Sequence, residues 1–141
     1  MSPPATTTGA CISAIALIVP DYDQGIVFYR DVMGFRLVED IDQGRKRWVA
    51  MEPPGGGARL VIARAEGALQ VAAIGNQAGG RVWLFLQTDD FWRDHAKMTA
   101  AGVLFEEEPR VEAYGTVAVW RDPWGNRWDM IEPASHARVG L

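Results

Sequence analysis

Two aspartates, Asp21 and Asp90, each open a segment with helical spacing of apolar residues, and each segment stops at a glycine, Gly34 and Gly102. The two stretches stand about 69 residues apart in a chain of 141, roughly half its length, so one structural plan is used twice. Identity between the halves is low, which makes the repeat one of structure. Few folds satisfy this constraint. Before the first aspartate, Ile12 to Val19 is a run of β-branched and small apolar residues and reads as a buried strand. Asp21 then caps a helix carrying Ile26, Tyr29 and Met33 near one face. Three strands come next, in FRLVEDI, RWVAMEP and ARLVIARA, separated by DQGRK and PPGGG. The second half reads as a strand RVWLFLQT, a capped helix DDFWRDHAKMTAAG, and strands VLFEEEP, GTVAVWRD and NRWDMIEP.

The expected fold is therefore α+β, a single domain of two βαβββ modules at about 11–64 and 81–133 with mixed sheets. The glycine-bearing stretch Ala65 to Gly80, with little periodicity, reads as the linker. Eight strands and two helices leave one face of each sheet without a helix. Curling both sheets around a shared concavity covers those faces, and a concave apolar surface is where small ligands bind.

Composition narrows the function. A net charge of −4 argues against nucleic acid, whose binding draws on clustered Lys and Arg. The basic run Gly44 to Arg47 reads as a solvated hairpin tip, and the acidic run Glu106 to Glu108 as a strand end in water. Cys11 is the only cysteine, so no intramolecular disulfide is expected and a reducing cytoplasm is the default. The N-terminal residues carry no basic targeting pattern, and CISAIALIVP is too short to span a bilayer. The expectation is a soluble protein without an address tag.

With these elements in place, two motifs carry a resemblance. VPDYDQGIVFYRDVMGF near the start and DPWGNRWDMIEP near the end resemble the glyoxalase/bleomycin-resistance/extradiol-dioxygenase group, the vicinal oxygen chelate superfamily. Its first-half signature, V-x-D, F-Y and L-G-F, is matched by Val19, Asp21, Phe28, Tyr29, Gly34 and Phe35, with Met33 in place of leucine. Its terminal D-P-x-G-N/Y-x-x-E/D is matched by Asp122, Pro123, Gly125, Asn126 and Asp129. The resemblance implies curled βαβββ sheets around a cavity and a homodimer. In the family's enzymes it also implies a divalent metal held by His, Gln or Glu side chains and acting as a Lewis acid.

Those ligand positions can be read one by one. Counting back from Asp21 to the family's first-strand ligand reaches Ala14, and counting back from Asp90 reaches Trp83. The fourth-strand position falls among Arg59, Leu60, Val61 and Ile62. None of these side chains binds a metal. Only Asp129 stands where the family places its last carboxylate, so the usual metal site is expected to be absent. A divalent ion (Zn, Ni, Mn or Fe) would need unusual ligands such as Gln87 with Asp129. His95, on the second helix, and His136, in the C-terminal tail, read as exposed or satisfied histidines.

Aromatic residues are the remaining feature. Trp48, Trp83, Trp120 and Trp128 fall on expected strands, Tyr114 precedes one, and Trp92 lies on the second helix. Single tryptophans are ordinary core residues, but a cup-shaped sheet with four of them should turn some toward the cavity. Alternation puts Trp83, Phe85 and Gln87 on one face, and sets Asp129 and Ile131 opposite Trp128. The expected binding set is Trp83, Phe85, Gln87, Trp48, Tyr114 and Trp120, around Asp129 as general base or as anchor for a basic ligand. Arg47 and Arg59 are possible partners of Asp129. Three readings compete: a metal-free binder of an aromatic or cationic small molecule, a glyoxalase-like lyase, isomerase or dioxygenase using Asp129, and an interaction module.

Overall fold

The computed structural model describes residues 8–135. His136 and the N-terminal segment read for a targeting tag lie at least in part outside them. Strand β1 (Ala14–Val19) leads into α1 (Tyr22–Val27), whose N-cap Asp21 accepts from the Gln24 N–H at 3.0 Å. The helix continues through one π-helical turn, Phe28–Val32, and ends where Phe35 N–H donates to the Tyr29 carbonyl at 2.8 Å beyond Gly34. Strands β2 (Arg36–Asp42), β3 (Arg47–Glu52) and β4 (Arg59–Arg64) complete the first module. β4 returns parallel to β1, giving the order β1-β4-β3-β2.

A short helix, α2 (Gly67–Ala73), lies in the segment read as a plain linker. The second module then repeats the first. β5 (Val82–Gln87) is followed by α3 (Phe91–Ala100), capped by Asp90, and β9 (Arg127–Pro133) returns parallel to β5. The order is β5-β9-β8-β6, with β8 at Gly115–Arg121 and β6 at Leu104–Phe105. The single strand expected at VLFEEEP is instead two short ones, β6 (Leu104–Phe105) and β7 (Arg110–Glu112). Two causes are visible. The Glu107 carboxylate takes the Val119 N–H at 3.0 Å, a donor that a strand backbone would otherwise have used, and Pro109 has no N–H to give.

One core serves both modules. Leu17, Val19, Val49, Met51, Leu60 and Ile62 from the first sheet join Ala118, Trp120, Trp128 and Met130 from the second. Ile26 and Tyr29 from the first helix and Phe91 and Met98 from α3 belong to the same cluster. α1 approaches the first sheet closely at Gly25, where a Cβ would lie 3.0 Å from an Ile62 methyl and 3.3 Å from a Val19 methyl. Its opposite side meets the second sheet, with Phe28 against Trp120 and Trp124, and Tyr29 against Trp128. The helical layer is thus shared between the sheets, and the uncovered face of each turns away from the common core.

The two signature motifs meet in this layer. Tyr29 O–H, buried, donates to Asp122 Oδ2 at 2.9 Å. The same carboxylate accepts the backbone N–H groups of Trp124, Gly125 and Asn126 and the Asn126 side-chain amide. Burial, then the adjacent Asp122 charge, raises the Tyr29 phenol well above its ordinary range, so it stays a donor. The F-Y and D-P-x-G-N motifs are the two halves of one inter-module lock.

Candidate functional site

The uncovered face of the second sheet is set by its register. Asp129 pairs with Phe85 on β5 and Val119 on β8, while Ile131 pairs with Gln87 and Val117. All six side chains therefore share a face. Val117, Val119 and Ile131 are buried there although they lie outside the inter-sheet core, and they form an apolar floor. Phe85, 62% exposed, stands on this floor as a free ring.

Asp129 is half-buried, and its Oδ1 is enclosed with no hydrogen-bond partner among the described residues. Burial raises its carboxyl above the ordinary range, and the nearby Glu107 charge adds to the rise while Arg110 opposes it. Glu107 and Arg110 are themselves paired at 2.9 Å. Toward the start of β9, Glu106 accepts from both Arg121 and Arg127 at 2.7 and 2.8 Å, and Arg127 also donates to the Gly80 carbonyl. These arginines are thus engaged with other carboxylates, and Asp129 is left as the unpartnered acid on the face.

The expected binding residues divide. Phe85 and Gln87 stand on the Asp129 face. Trp120, fully buried, stacks on Trp128 at 5.1 Å in the core on the opposite side, and no ligand on the Asp129 face can reach it. Trp83 falls in a register irregularity between Val82 and Leu84, and packs edge-on to Trp128 at 5.9 Å, parting from Phe85. Alternation alone misplaces it because a bulge resets the side-chain phase. Tyr114, partly exposed, sits in the turn before β8.

Trp48 stands on the uncovered face of the first sheet, opposite Ile41 and within 3.3 Å of Glu39. The residues around it there are small or charged: Ala16, Ala50, Val61 and Ala63, with Arg59 between Glu39 and Glu52. Arg47 pairs with Asp40 and Asp23. Neither Arg47 nor Arg59 is the partner of Asp129. His95 lies in an aromatic cluster with Phe91, Trp92 and Phe105.

The donors on the Asp129 face do not fit a metal in the family's usual manner. Ala14 pairs with Arg59 where two ligands would stand, and Phe85 and Val119 flank the one carboxylate. Among the described residues no group of three or more His, Cys, Asp or Glu side chains is arranged to hold an ion. Glu107 and Arg110 are the residues that sequence reasoning missed. The available signal was Pro109, which disfavours an unbroken strand and so points to a loop folding back over β8.

Comparison with known proteins agrees with this geometry. Residues 12–130 match the family model of the Glyoxalase/Bleomycin resistance protein/Dioxygenase superfamily. A protein of Shewanella frigidimarina is 51% identical over 121 residues, covering 84% of this chain and 90% of that one. Among solved structures, TnmS3, an antibiotic binding protein from Streptomyces sp. CB03234, superposes with a TM-score of 0.72 at 25% identity, covering 92% of this chain and 100% of its own. UcmS2 shares the fold with a TM-score of 0.76 at 24% identity over 88% of this chain and 98% of its own.

Proposed function

This chain belongs to the glyoxalase/bleomycin resistance protein/dioxygenase superfamily, and from that premise we propose that it binds a small aromatic molecule carrying a cationic or N–H/O–H donor group. The single observation that carries this reading is the half-buried Asp129 carboxylate, which has no hydrogen-bond partner among the described residues, beside the exposed ring of Phe85. A carboxylate held without a donor beside an apolar floor is unfavourable by about 1–3 kcal/mol, and a ligand donor that meets its accessible side recovers part of that energy. Phe85 offers a face for offset stacking, and the floor of Val117, Val119 and Ile131 excludes water from one side of the ligand.

In this proposal the second wall comes from another copy of the chain. The Trp48 face of one protomer meets the Asp129 face of its partner, so Trp48 and Tyr114 join Phe85 and Gln87 around the ligand. The description of TnmS3 as an antibiotic binding protein supports a binding role for a related fold. A second reading uses the same acid differently. A carboxyl raised by burial is suited to moving a proton at its Oδ atoms, so a lyase or isomerase acting through Asp129 as base is the alternative.

Titration of tryptophan and ligand fluorescence with planar aromatic amines and phenols tests the proposal. Binding is expected for the wild type, weakened about tenfold or more in Asp129→Asn, with the loss largest for cationic ligands. A set of such ligands that leaves the fluorescence unmoved, or that binds Asp129→Asn equally well, would count against it. Turnover of a bound compound by the wild type but not by Asp129→Asn would favour the enzymatic reading.

A further inference from the structure

A second concavity lies on the reverse of the Asp129 sheet. It is a groove of about 1210 Å³ between the two modules. Ile15 from the first sheet and Leu84 and Leu86 from the second form its accessible apolar floor, backed by the buried Leu60, Met130 and Met98 of the core. The turn Pro53–Ala58 and the end of the first helix, at Met33 and Gly34, make the opposite wall.

The internal repeat gives this groove a counterpart, and the counterpart is filled. On the other side of the molecule, between the starts of β5 and β9 and the edge of β1, the segment around α2 plugs the crevice and leaves only about 10 Å³. Gln77 stitches that plug to β1, accepting from Ile18 N–H at 2.8 Å and donating to the Ala16 carbonyl at 3.0 Å. A Cβ on Gly75 would lie 1.7 Å from the Trp124 carbonyl oxygen, which shows how tightly the plug seats. Of two crevices related by the repeat, the described chain fills one.

The charges around the open groove decide what fits it. Arg93 is taken by Asp89 and Asp94. Asp94 also accepts from the Thr88 hydroxyl, and Glu132 accepts the Phe91 N–H at the start of α3 at 2.7 Å. Of the groove's two cations, Lys97 alone has no carboxylate within 4.0 Å among the described residues. Its Nζ reaches across from α3 toward the opposite wall, 4.0 Å from where a Gly34 Cβ would be. Lys97 lies near enough to Asp94 to stabilise its charge but is in no ion pair, and an apolar floor with such an ammonium at its mouth is complementary to an amphipathic anion.

We propose that the groove between the modules binds a medium-chain organic carboxylate, its tail on the part-exposed Ile15, Leu84 and Leu86 and its head on Lys97. The groove reaches Phe85 and Gln87 at its β5 edge, where it adjoins the Asp129 face, but the residues that hold tail and head, Ile15, Leu84, Leu86 and Lys97, lie outside that face.

Calorimetry and amide NMR of the full chain with decanoate, decanol and decyltrimethylammonium, each below its micellar concentration, test it. Sedimentation on the same samples reports the oligomeric state. Decanoate is expected to saturate at one per chain, with amide shifts at Leu84, Leu86 and Met98. Decanol should bind about tenfold more weakly, and Lys97→Glu should lose about tenfold for decanoate and favour the cationic amphiphile. Asp129→Asn should bind decanoate as the wild type does. The proposal is overturned if Lys97→Glu binds decanoate unchanged, or if the shifts map to Val117, Val119 and Asp129 on the other face. It is also overturned if decanoate fails to bind, and should Lys97→Glu then alter self-association, the groove belongs to a second copy.

Discussion

An ionised Asp129 is held by neither of the arginines that sequence spacing suggested, and its enclosed oxygen has no donor among the described residues. Burial therefore works against its charged form. Below the ordinary carboxylate pKa of about 3.9 the group is neutral in folded and unfolded chains alike, and it has no effect on stability. As pH rises through the raised folded value, the unfolded chain ionises more readily and stability falls. Asp129→Asn should accordingly be indistinguishable from wild type near that lower limit, and more stable than wild type at neutral pH. Urea melts across the pH range check this, and a gain that does not shrink on acidification would contradict it. Tyr29 and Asp122 behave oppositely. Tyr29→Phe should destabilise by about 1–2 kcal/mol, and Asp122→Ala by about 3 or more because five donors lose their acceptor. A double-mutant cycle should show coupling between them; strict additivity would mean the hydrogen bond is not the link. The place of Asp129 and its opposition to Trp128 were legible from alternation. Its isolation was not, because the neighbours that set its charge, Glu107 and Arg110, come from a loop whose path no periodicity records.

At the scale of elements, the segment between the modules does more than connect them. Its helix is exposed, with Leu69 89% accessible, and Gly75 and Gln77 beyond its end hold it in place where its own packing does not. Gln77 supplies both a donor and an acceptor to β1, an outer strand of its sheet, and so covers a stretch of edge that would otherwise template pairing with another chain. Gln77→Ala should cost about 1–2 kcal/mol and raise the tendency to aggregate on mild heating, read by light scattering. Gly75→Ala should cost more, about 2 kcal/mol or above, because its φ of +70° and the Trp124 carbonyl leave no place for a methyl. If limited proteolysis then cuts no faster within 65–80, the plug is not what Gly75 secures. The strand–helix–three-strand plan was legible from the twin aspartate caps and glycine stops, since those are local chemistry. The plug was not, for glycines and short apolar runs look alike in a linker and in a segment that fills a crevice. The split of the sixth expected strand shows the same limit: Glu107 takes a ladder donor through its side chain, a contact set by tertiary position.

Across the whole molecule, the helices pack between the sheets, and each sheet offers its second face outward. The faces differ in kind. One presents Trp48, Ile41 and small residues with paired charges, the other Phe85, Asp129 and a buried valine–isoleucine floor. A flat small-residue face opposite a ring standing on an apolar floor is the relation that two copies turned about a twofold axis would satisfy twice, closing the assembly. The expectation of a homodimer, which the family resemblance introduced, thus acquires a physical test. Each Phe85, 62% exposed, offers roughly 120 Å² to a partner, about 3 kcal/mol at 25 cal/mol/Å², and the symmetry counts it twice. Even if half of that is lost to ordering, Phe85→Glu should weaken self-association by about a hundredfold. Sedimentation at micromolar concentration should show a dimer for the wild type and a monomer for Phe85→Glu, with the melting profile of the monomer changed little because Phe85 lies outside the core. Aromatic-ligand binding should fall with the dimer, since Trp48 reaches the Asp129 face only from another copy. A monomeric wild type that still binds such ligands would place the whole site on one sheet and remove Trp48 from it.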